Sequence, residues 1–471
     1  MEATSRLRRL RIPALILAGL VGWVAFVFVA TVHDWWRTPI APRGDGHAFA
    51  AAARVMVEER LRGNLAMVVI DRGRVVGHHY ASVDAEEPIG PDTVFQVASV
   101  SKWVTAWGVL SLVDRGLVDL DAPVERYLTR WRLPPSDFDH DGVTVRRLLS
   151  HTAGLVDGLG YAGFVDPDAV QPLEESLARA ADSDPGRDGA VRVGFEPGAQ
   201  WRYSGGGYTV LQLLIEEVSG LPFAEYMRGE VLGPLGMLRS AYGLDDVIAD
   251  DLAAHFADGV RVPHRHFTAQ AAAALHTTVS DLTRFLAAHL EGPDGEPPGR
   301  GVISKRSLVA MMTAHGSQFG LGIWGLGPLL YGPVLGSPRV VGHDGFNAPG
   351  ISSTVRLDLH DGAGIIVLSS GDPQLAPDLG SAWVYHRIGS LDVITLSGGL
   401  GRMMTLIAVG SAAILVGAIA AALTGRARQR RPLSGPTRRE DAAVGHRERP
   451  VEAHRASPPG RSRSSEGDPH R

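Results

Sequence analysis

The stretch FQVASVSKWV, residues 95 to 104, contains one of only two lysines, Lys102 and Lys305, in a chain with 46 basic residues. Arginine stays protonated at any biological pH, whereas a buried lysine can lose its proton and act as a base. Ser99 precedes Lys102 by three residues, and residues i and i+3 share one face of a helix. If the segment is helical, the hydroxyl and the amine lie within hydrogen-bond reach, although chance alone can give this spacing.

The residues around this pair predict a strand followed by a helix. A short apolar run, TVFQVA (93–98), leads into Ser99, and from there to Arg115 apolar side chains recur with helical spacing until Gly116. Ser99 is therefore placed at a helix N-terminus, where backbone N–H groups and the helix dipole favour a developing oxyanion. An ordinary N-cap serine is the alternative interpretation of this position.

The composition limits the kinds of site that the chain can hold. At 471 residues it is long enough for two or three domains' worth of structure. It contains no cysteine, so neither disulfides nor thiolate metal sites can form. Three histidines, His255, His264 and His266, invite a zinc site, but their spacing matches no common ligand pattern. The sequence therefore predicts no metal site and no cofactor.

Two apolar runs predict membrane-spanning helices. Residues 13–32, PALILAGLVGWVAFVFVATV, and residues 403–424, MMTLIAVGSAAILVGAIAAALT, are uncharged and long enough to cross a bilayer. Arginine clusters flank each run on its outer side, so the positive-inside rule places both termini in the cytoplasm and the section between them outside the cell membrane. A cleaved signal peptide is the rival interpretation of the first run, which is longer than usual and lacks a clear cleavage site.

These runs divide the chain into seven predicted segments. In order, they are a basic cytoplasmic N-terminus (1–12), a signal-anchor helix (13–32), a linker (33–46), a main domain (47–390), a second linker (391–402), a second spanning helix (403–424) and a cytoplasmic tail (425–471). The tail is rich in Arg, Pro and Ser and has almost no large apolar side chains, which predicts disorder.

Charge is unevenly distributed along the chain. The whole chain has a formal net charge of −5, although both ends carry a surplus of arginine. The section between the ends is therefore acidic, with a net charge of about −14. This argues against a nucleic-acid partner for the main domain, while the basic tail suits anionic lipid headgroups.

Strand patterns occur at both ends of the main domain, and helical patterns fill its middle. A predicted helix (47–62) precedes a hairpin made of LAMVVID and VVGHHYA. Residues 117 to about 315 are mostly helical, and β patterns return in PRVVGHDG, ISSTVRLDL and AGIIVLSSG before a helix near 379–389. Distant segments should therefore complete one sheet.

Three short motifs follow one another along the main domain, SVSK (99–102), YSG (203–205) and HDG (343–345). With VTVRRLLSHTAGL (143–155), LGPLGM (232–237) and GHDGFNAPGISS (342–353), they make the chain resemble the serine β-lactamase and penicillin-binding-protein superfamily. The similarity is to the branch of class C β-lactamases, DD-peptidases and related esterases. It covers about residues 47–390 and neither apolar run. A lone S-x-x-K is a weak signal, whereas this ordered set is specific.

The resemblance implies an α/β fold in which helices flank an antiparallel sheet, with a mostly helical subdomain and a cleft between the two parts. Ser99 matches the nucleophile of an acyl-enzyme mechanism. Lys102 and Tyr203 match the groups that share proton transfer, and which of them is the base stays open. The oxyanion hole implied by the family uses the backbone N–H groups of Ser99 and Phe346. His343 is expected to orient substrate or shuttle protons.

Two positions depart from the family pattern. Gly205 stands where the second motif usually has asparagine, whose amide contacts a peptide-like substrate. His343, largely neutral near pH 7, stands where the third motif often has lysine. Both changes favour an ester, a small amide or an unusual D-amino acid peptide over efficient β-lactam turnover. The substrate-binding positions implied by the motifs are Gly205, Asp344, Gly345 and Asn347. For Asp344 the alternative is a side chain that points away from the cleft.

The remaining conspicuous residues have structural interpretations. His151 lies in a loop typical of the family and is predicted to be structural rather than catalytic. Trp103, Trp107 and Trp131 are predicted to belong to the core rather than to a substrate platform.

The sequence thus predicts a membrane-embedded serine hydrolase acting on a small molecule or peptide outside the cytoplasm. The rival is a binding or sensing module that keeps the fold and grips cell-wall peptide without turnover. Retention of Ser99, Lys102 and Tyr203 together argues against the rival, because nothing structural requires all three.

Overall fold

The computed structural model describes residues 2–36, 38–157, 160–183, 186–244, 251–318, 320–333 and 336–429. The chain divides into two compact units, residues 1–414 and 415–471. The described part of the second unit is the end of one long helix, and all other elements belong to the first. The tail predicted to be disordered, 425–471, lies outside the described residues from position 430 onward.

The described segments form short strands and helices between two long terminal helices. The helices are α1 (Glu2–Val32), α2 (Gly46–Arg60), α3 (Ser101–Asp114), α4 (Val145–Leu149), α5 (Leu173–Arg179), α6 (Gly205–Ser219), α7 (Phe223–Met227), α8 (Gln270–Ala273), α9 (Val279–Ala287), α10 (Lys305–Met311), α11 (Leu375–Ile388) and α12 (Val393–Gln429). The strands are β1 (Asn64–Asp71), β2 (Arg74–Ser82), β3 (Phe95–Gln96), β4 (Leu155–Val156), β5 (Arg192–Val193), β6 (Ala241–Tyr242), β7 (His255–Ala257), β8 (Val260–Val262), β9 (Leu275–Thr277), β10 (Gly316–Gln318), β11 (Leu321–Trp324), β12 (Leu329–Tyr331), β13 (Val340–Asn347), β14 (Ile351–Asp358) and β15 (Gly364–Ser370).

The main sheet is antiparallel and has the strand order β10-β11-β12-β13-β14-β15-β1-β2. The N-terminal hairpin enters it through β1, which pairs with β15 and sets Leu65 opposite Ser369. Two distant parts of the sequence therefore complete one sheet, as their strand patterns predict. With helices packed on both faces, the predicted α/β fold class is confirmed.

Side-chain alternation along β1 divides the core into two layers. Successive residues of a strand point to opposite faces of the sheet. Leu65 and Met67 therefore pack in one cluster with α2 and α11. Ala66 and Val68 belong to a larger cluster on the other face, which contains α3 and the helical subdomain.

Helix α3 lies between the sheet and the helical subdomain and is buried almost throughout its length. Trp103 and Trp107 are fully buried, and Trp131 packs partly buried against the same cluster. A helix that is apolar on all sides needs partners on all sides. Helices α6, α7 and α8 supply those partners opposite the sheet.

The start of α3 differs from the expected start at Ser99. The chain first forms a 3-10 turn, Ala98–Val100, and becomes α-helical at Ser101. Ser99 consequently lies inside a tight turn and does not act as the N-cap of the helix.

Residues 391–402, expected as a linker, are helical from Val393 onward. Asp392 Oδ1 accepts hydrogen bonds from the backbone N–H groups of Ile394 and Thr395 at 2.9 and 3.0 Å. These bonds satisfy amides that a helix start leaves unpaired, so the helix begins directly after the domain.

Two described helical segments are long and apolar enough to cross a membrane, Ile12–Val32 and Gly399–Arg426, each with a mean hydropathy of 2.5. They contain the runs 13–32 and 403–424 found in the sequence. Length and composition alone support this property, so membrane insertion and orientation stay predictions.

Candidate active site

The SVSK motif begins on a strained turn between β3 and α3. Ala98 has a φ of 45°, a left-handed conformation that is uncommon for residues other than glycine. The Ser101 hydroxyl stabilises the turn, because it donates a hydrogen bond to the Ala98 carbonyl at 2.5 Å and accepts one from the Leu275 N–H at 2.9 Å. These hydrogen bonds fix the residue before Ser99 and the second residue after it, and so they fix the position of Ser99.

The predicted residues of the first two motifs meet at one point. Lys102 Nζ lies 3.1 Å from Ser99 Oγ, and the Tyr203 hydroxyl donates to the same Oγ at 2.8 Å. Lys102 Nζ also donates to the Ala272 carbonyl at 2.7 Å and lies 5.0 Å from the centre of the Tyr203 ring. An alcohol, an amine and a phenol thus share one hydrogen-bond network, although Ser99 and Tyr203 are 104 positions apart.

Burial alters the acid–base chemistry of the amine. Lys102 is 2 % exposed, and its desolvation lowers its pKa to about 7 against an opposing effect of the Asp157 carboxylate. A substantial fraction of the amine is therefore neutral at pH 7, with a lone pair that can accept the Ser99 proton. An arginine at this position would stay charged.

Burial affects the phenol differently. Desolvation raises the pKa of Tyr203, and the hydrogen bond to Ser99 reverses only part of that rise. Tyr203 is consequently neutral and donates to Ser99 Oγ. Of the two groups that the sequence leaves open as the base, the amine is the one able to accept a proton near neutral pH.

The histidine of the third motif lies close to the amine. His343 is 2 % exposed, and desolvation, with a smaller contribution from Lys102, lowers its pKa to about 3. Its Nδ1 lies 2.6 Å from the Asp344 carbonyl, and its ring meets that of Trp324 edge to face with centroids 5.4 Å apart. His343 is thus a neutral imidazole and not a substitute for the cation of a lysine.

Two aromatic side chains pack around the ring of Tyr203. The His151 and Tyr203 ring centroids are 4.4 Å apart, and those of Trp324 and Tyr203 are 5.6 Å apart. His151 Nδ1 also accepts a hydrogen bond from the Ser204 N–H at 3.1 Å. This is a structural role for His151, of the kind predicted. The contact of Trp324 with Tyr203 was not predicted from the sequence. The signal that the sequence offers is a single tryptophan in the glycine-rich stretch GLGIWGLG.

Gly345 lets β13 approach the turn that carries the nucleophile. A Cβ at Gly345 would lie 2.1 Å from the Val97 carbonyl, and the Ser353 hydroxyl donates to that carbonyl at 2.9 Å. Within the described residues, β12 pairs with β13 only over Val340–Gly342. On the edge opposite β14, the later part of β13, up to Phe346, therefore packs against the 3-10 turn that carries Ser99.

The structure pairs the Asp344 side chain with other residues than Ser99, and its predicted substrate-binding role stays a prediction. Asp344 accepts two bonds from Arg356 Nη2 at 2.7 Å and one from the Thr354 hydroxyl at 2.7 Å. Arg356 is almost fully buried and lies 4.3 Å from the centre of the Tyr331 ring. Neighbouring residues of a strand point to opposite faces, so the strand that turns His343 inward turns Asp344 away.

Gly205 and Asn347 mark the two other predicted substrate-binding positions. Gly205 is buried at the first position of α6 and supplies no side chain to the site. Asn347 is 6 % exposed at the end of β13, opposite Ile351.

A carboxylate that sequence reasoning missed, Asp157, lies beside the second motif. Asp157 Oδ2 accepts a bond from the Ser204 hydroxyl at 3.0 Å and another from the Gly206 N–H. Its negative charge also opposes the fall in the pKa of Lys102. Its place two residues after the family-like stretch 143–155 was the signal available in the sequence.

The histidines that invite a zinc site lie elsewhere. The rings of His255 and His264 have centroids 4.1 Å apart, while the backbone of His266 bridges to Phe164. Throughout the described segments, no group of three or more His, Asp or Glu side chains has an arrangement that could hold a metal ion.

Known proteins resemble this chain in sequence and in structure. A family model described as Beta-lactamase matches residues 49–388. The chain is 34% identical over 194 residues to Esterase EstB of Burkholderia gladioli, which covers 38% of this chain and 47% of the esterase. It is 30% identical over 182 residues to a penicillin-binding protein of Bacillus subtilis (strain 168), which covers 38% of each chain. The structure is similar to that of the octameric penicillin-binding protein homologue from Pyrococcus abyssi, with a TM-score of 0.58, 28% identity and coverage of 72% of this chain and 75% of that one.

The matched region spans less than half the length of these two curated relatives. Their names describe an esterase and a penicillin-binding protein. With the meeting of Ser99, Lys102 and Tyr203, these similarities support a serine hydrolase in general terms.

Proposed function

We propose that this chain, which belongs to the β-lactamase family, is a membrane-anchored serine hydrolase. It cleaves an ester or amide through an acyl-enzyme on Ser99. The observation that carries the proposal is the pair of contacts to Ser99 Oγ, 3.1 Å from the Lys102 amine and 2.8 Å from the Tyr203 hydroxyl. A serine alcohol is a weak nucleophile until a neighbouring base accepts its proton, and a lysine with a pKa of about 7 can be that base.

The reaction proceeds in two halves. Ser99 Oγ attacks the carbonyl carbon while its proton passes to Lys102, and the backbone N–H groups of Ser99 and Phe346 bind the resulting oxyanion. Tyr203 helps to pass a proton to the leaving alcohol or amine, whose departure forms the acyl-enzyme. Water then attacks the acyl carbonyl, releases the acid and restores the Ser99 hydroxyl.

The substrate class follows from what surrounds the nucleophile. Gly205 offers no amide to a peptide backbone, and His343 is neutral and offers no cation to a free carboxylate. A neutral ester or small amide needs neither group. A D-amino acid peptide or a β-lactam would need its carboxylate held by other means, so these are the less favoured substrates.

The two long apolar helices support the proposed anchoring. Arginines flank the segments Ile12–Val32 and Gly399–Arg426 on their outer sides, and the positive-inside rule then places the main domain outside the cytoplasm. The proposed location is the cell membrane, with both termini in the cytoplasm.

Activity-based labelling of the full chain in membranes tests the proposed chemistry. A fluorophosphonate should label the wild type and not the Ser99→Ala variant, which is the matched control. Labelling by the fluorophosphonate alone indicates an esterase-like enzyme, and additional labelling by a fluorescent penicillin indicates a penicillin-binding enzyme. Labelling by neither probe would overturn the proposal and favour a non-catalytic binding module.

A further inference from the structure

The outer ends of the two long helices pack directly against the catalytic subdomain. Val32, at the end of α1, and Leu396, in the first turn of α12, belong to one apolar cluster with Ile323 and Trp324 of β11. Tyr203 is partly buried and packs against the same cluster. The end of the first candidate span and the turn that precedes the second are thus part of the wall behind Tyr203.

Hydrogen bonds hold these helix ends in place. The Leu391 N–H donates to the Val32 carbonyl at 2.8 Å, which joins the start of the second spanning helix to the end of the first. The Tyr385 hydroxyl of α11 donates to the His33 carbonyl at 3.3 Å. Farther down, Trp23 Nε1 donates to the Leu406 carbonyl at 3.1 Å. The domain is therefore fixed on its anchors by direct contacts and does not hang from a long linker.

The distance from this junction to the nucleophile is short. Ser99 Oγ accepts a 2.8 Å hydrogen bond from Tyr203, whose ring lies 5.6 Å from that of Trp324. Trp324 in turn belongs to the cluster that contains Val32.

Aromatic side chains are exposed beyond the first candidate span and on the strand beside Ser99. Trp35 and Trp36, just beyond the first span, are 60 and 44 % exposed, and tryptophan is enriched at membrane–water interfaces. Phe346, in the strand that packs against the nucleophile's turn, is 57 % exposed.

We infer that the substrate is an amphiphile anchored in the outer leaflet, with its scissile ester or amide at the level of the lipid headgroups. This inference rests on the proposed function and adds the source of the substrate. A site linked to the span ends through Tyr203 and Trp324 is well placed for bonds near the membrane surface and poorly placed for bonds far above it. The neutral His343 fits an ester without a free carboxylate.

A matched set of fluorogenic esters tests the inference with the full chain in lipid vesicles. All the esters carry the same acyl group. One is water-soluble, one is joined directly to a lipid headgroup, and one is joined to the same lipid through a long polyethylene glycol spacer. Each lipid ester is placed either in the vesicles that contain the enzyme or in separate vesicles, and Ser99→Ala vesicles provide the background rate.

The short-linked lipid ester should be cleaved at least about tenfold faster in the enzyme's own vesicles than in separate ones, because sharing a surface raises its effective concentration. It should also be cleaved faster than the long-spacer ester in the same vesicles. Equal rates in the two vesicle arrangements, or cleavage of the long-spacer ester alone, would overturn the inference. Cleavage of the soluble ester in the same experiment would still support the proposed hydrolase. Failure of all three esters, with no fluorophosphonate labelling, would instead reject the proposed function itself.

Discussion

Lys102 Nζ lies 3.1 Å from Ser99 Oγ and is held there by a 2.7 Å hydrogen bond to the Ala272 carbonyl. The amine therefore faces the nucleophile with its geometry set by a backbone atom 170 positions away. The network uses one of the only two lysines in the chain, and the other, Lys305, lies exposed on α10.

The first prediction concerns the need for an amine that can lose its proton. Lys102→Arg should lower kcat/KM for a soluble ester by about 10²–10⁴, because arginine keeps its charge and cannot act as the base. Steady-state hydrolysis by the purified full chain measures this effect. The matched control is Lys305→Arg, which should keep wild-type activity, and equal activity of all three proteins would exclude Lys102 as the base.

The second prediction links the pH profile to Asp157. Wild-type kcat/KM should rise with pH through about 7 as Lys102 loses its proton. The Asp157 carboxylate stabilises the protonated amine, so Asp157→Asn should lower the pKa of Lys102 and move this rise to lower pH. Ester hydrolysis between pH 5 and 9 shows the shift. A rise that stays in place, or moves to higher pH, contradicts the assignment.

The third prediction separates the hydroxyl of Tyr203 from its ring. Tyr203→Phe removes the 2.8 Å hydrogen bond to Ser99 Oγ but keeps the ring that packs between His151 and Trp324. We expect kcat to fall by about 10²–10³ with little change in KM, since the lost group acts in proton transfer. A severalfold rise in KM at unchanged kcat would show that the hydroxyl binds substrate instead.

The fourth prediction concerns stability in acid. Desolvation lowers the pKa of His343 to about 3 in the folded protein. In the unfolded chain the histidine pKa is about 6.5, so the unfolded chain binds this proton more readily. The neutral His343 therefore contributes to the stability of the fold above about pH 6.5, and this contribution is lost as the pH falls towards 3. His343→Gln should therefore lose less thermal stability between pH 7 and pH 5 than the wild type, by up to about 1.4 kcal/mol per pH unit.

Thermal unfolding of the full chain in detergent at several pH values measures this difference. His47→Gln is the matched control, because His47 is exposed near the start of α2, and it should keep the wild-type dependence on pH. A wild-type dependence in His343→Gln as well would mean that His343 is not the buried neutral group described.

The fifth prediction tests the ion pair between Asp344 and Arg356. Asp344→Asn leaves the buried guanidinium without its full countercharge and should lower the free energy of unfolding by about 1–2 kcal/mol, less than for a pair buried on both sides because the carboxylate is 36% exposed. The KM for a neutral ester should change less than about twofold, because the carboxylate faces away from the nucleophile. A large rise in KM without loss of stability would restore the substrate-binding role that the sequence suggests for Asp344.

Much of the site could be predicted because its parts obey local rules. The i, i+3 spacing of Ser99 and Lys102 needs only helical turns, and β1 and β13–β15 are recognised as short apolar runs bounded by turn residues. The direction of the Asp344 side chain was left open by the third motif. A motif written as three consecutive letters does not show that the middle one points to the other face of the sheet.

Asp157 and Trp324 could not be predicted for a different reason. Each acts by lying close to residues far away in the sequence, Asp157 near Lys102 and Trp324 against Tyr203. Neither residue stands at a spacing that has a meaning of its own. Their roles exist only after the helical subdomain and the sheet have packed together.

The amino-acid sequence by itself determined the order of the motifs, the family and the pairing of distant strands in one sheet, because these depend on residue type and short-range periodicity. The tertiary structure alone decided the chemical state of the groups. Whether Lys102 holds its proton near pH 7, and whether His343 is neutral, depends on how much water the surrounding segments exclude. It also decided that Val32, at the end of α1, shares a cluster with the wall behind Tyr203, since Val32 and Tyr203 lie more than 150 positions apart in the sequence.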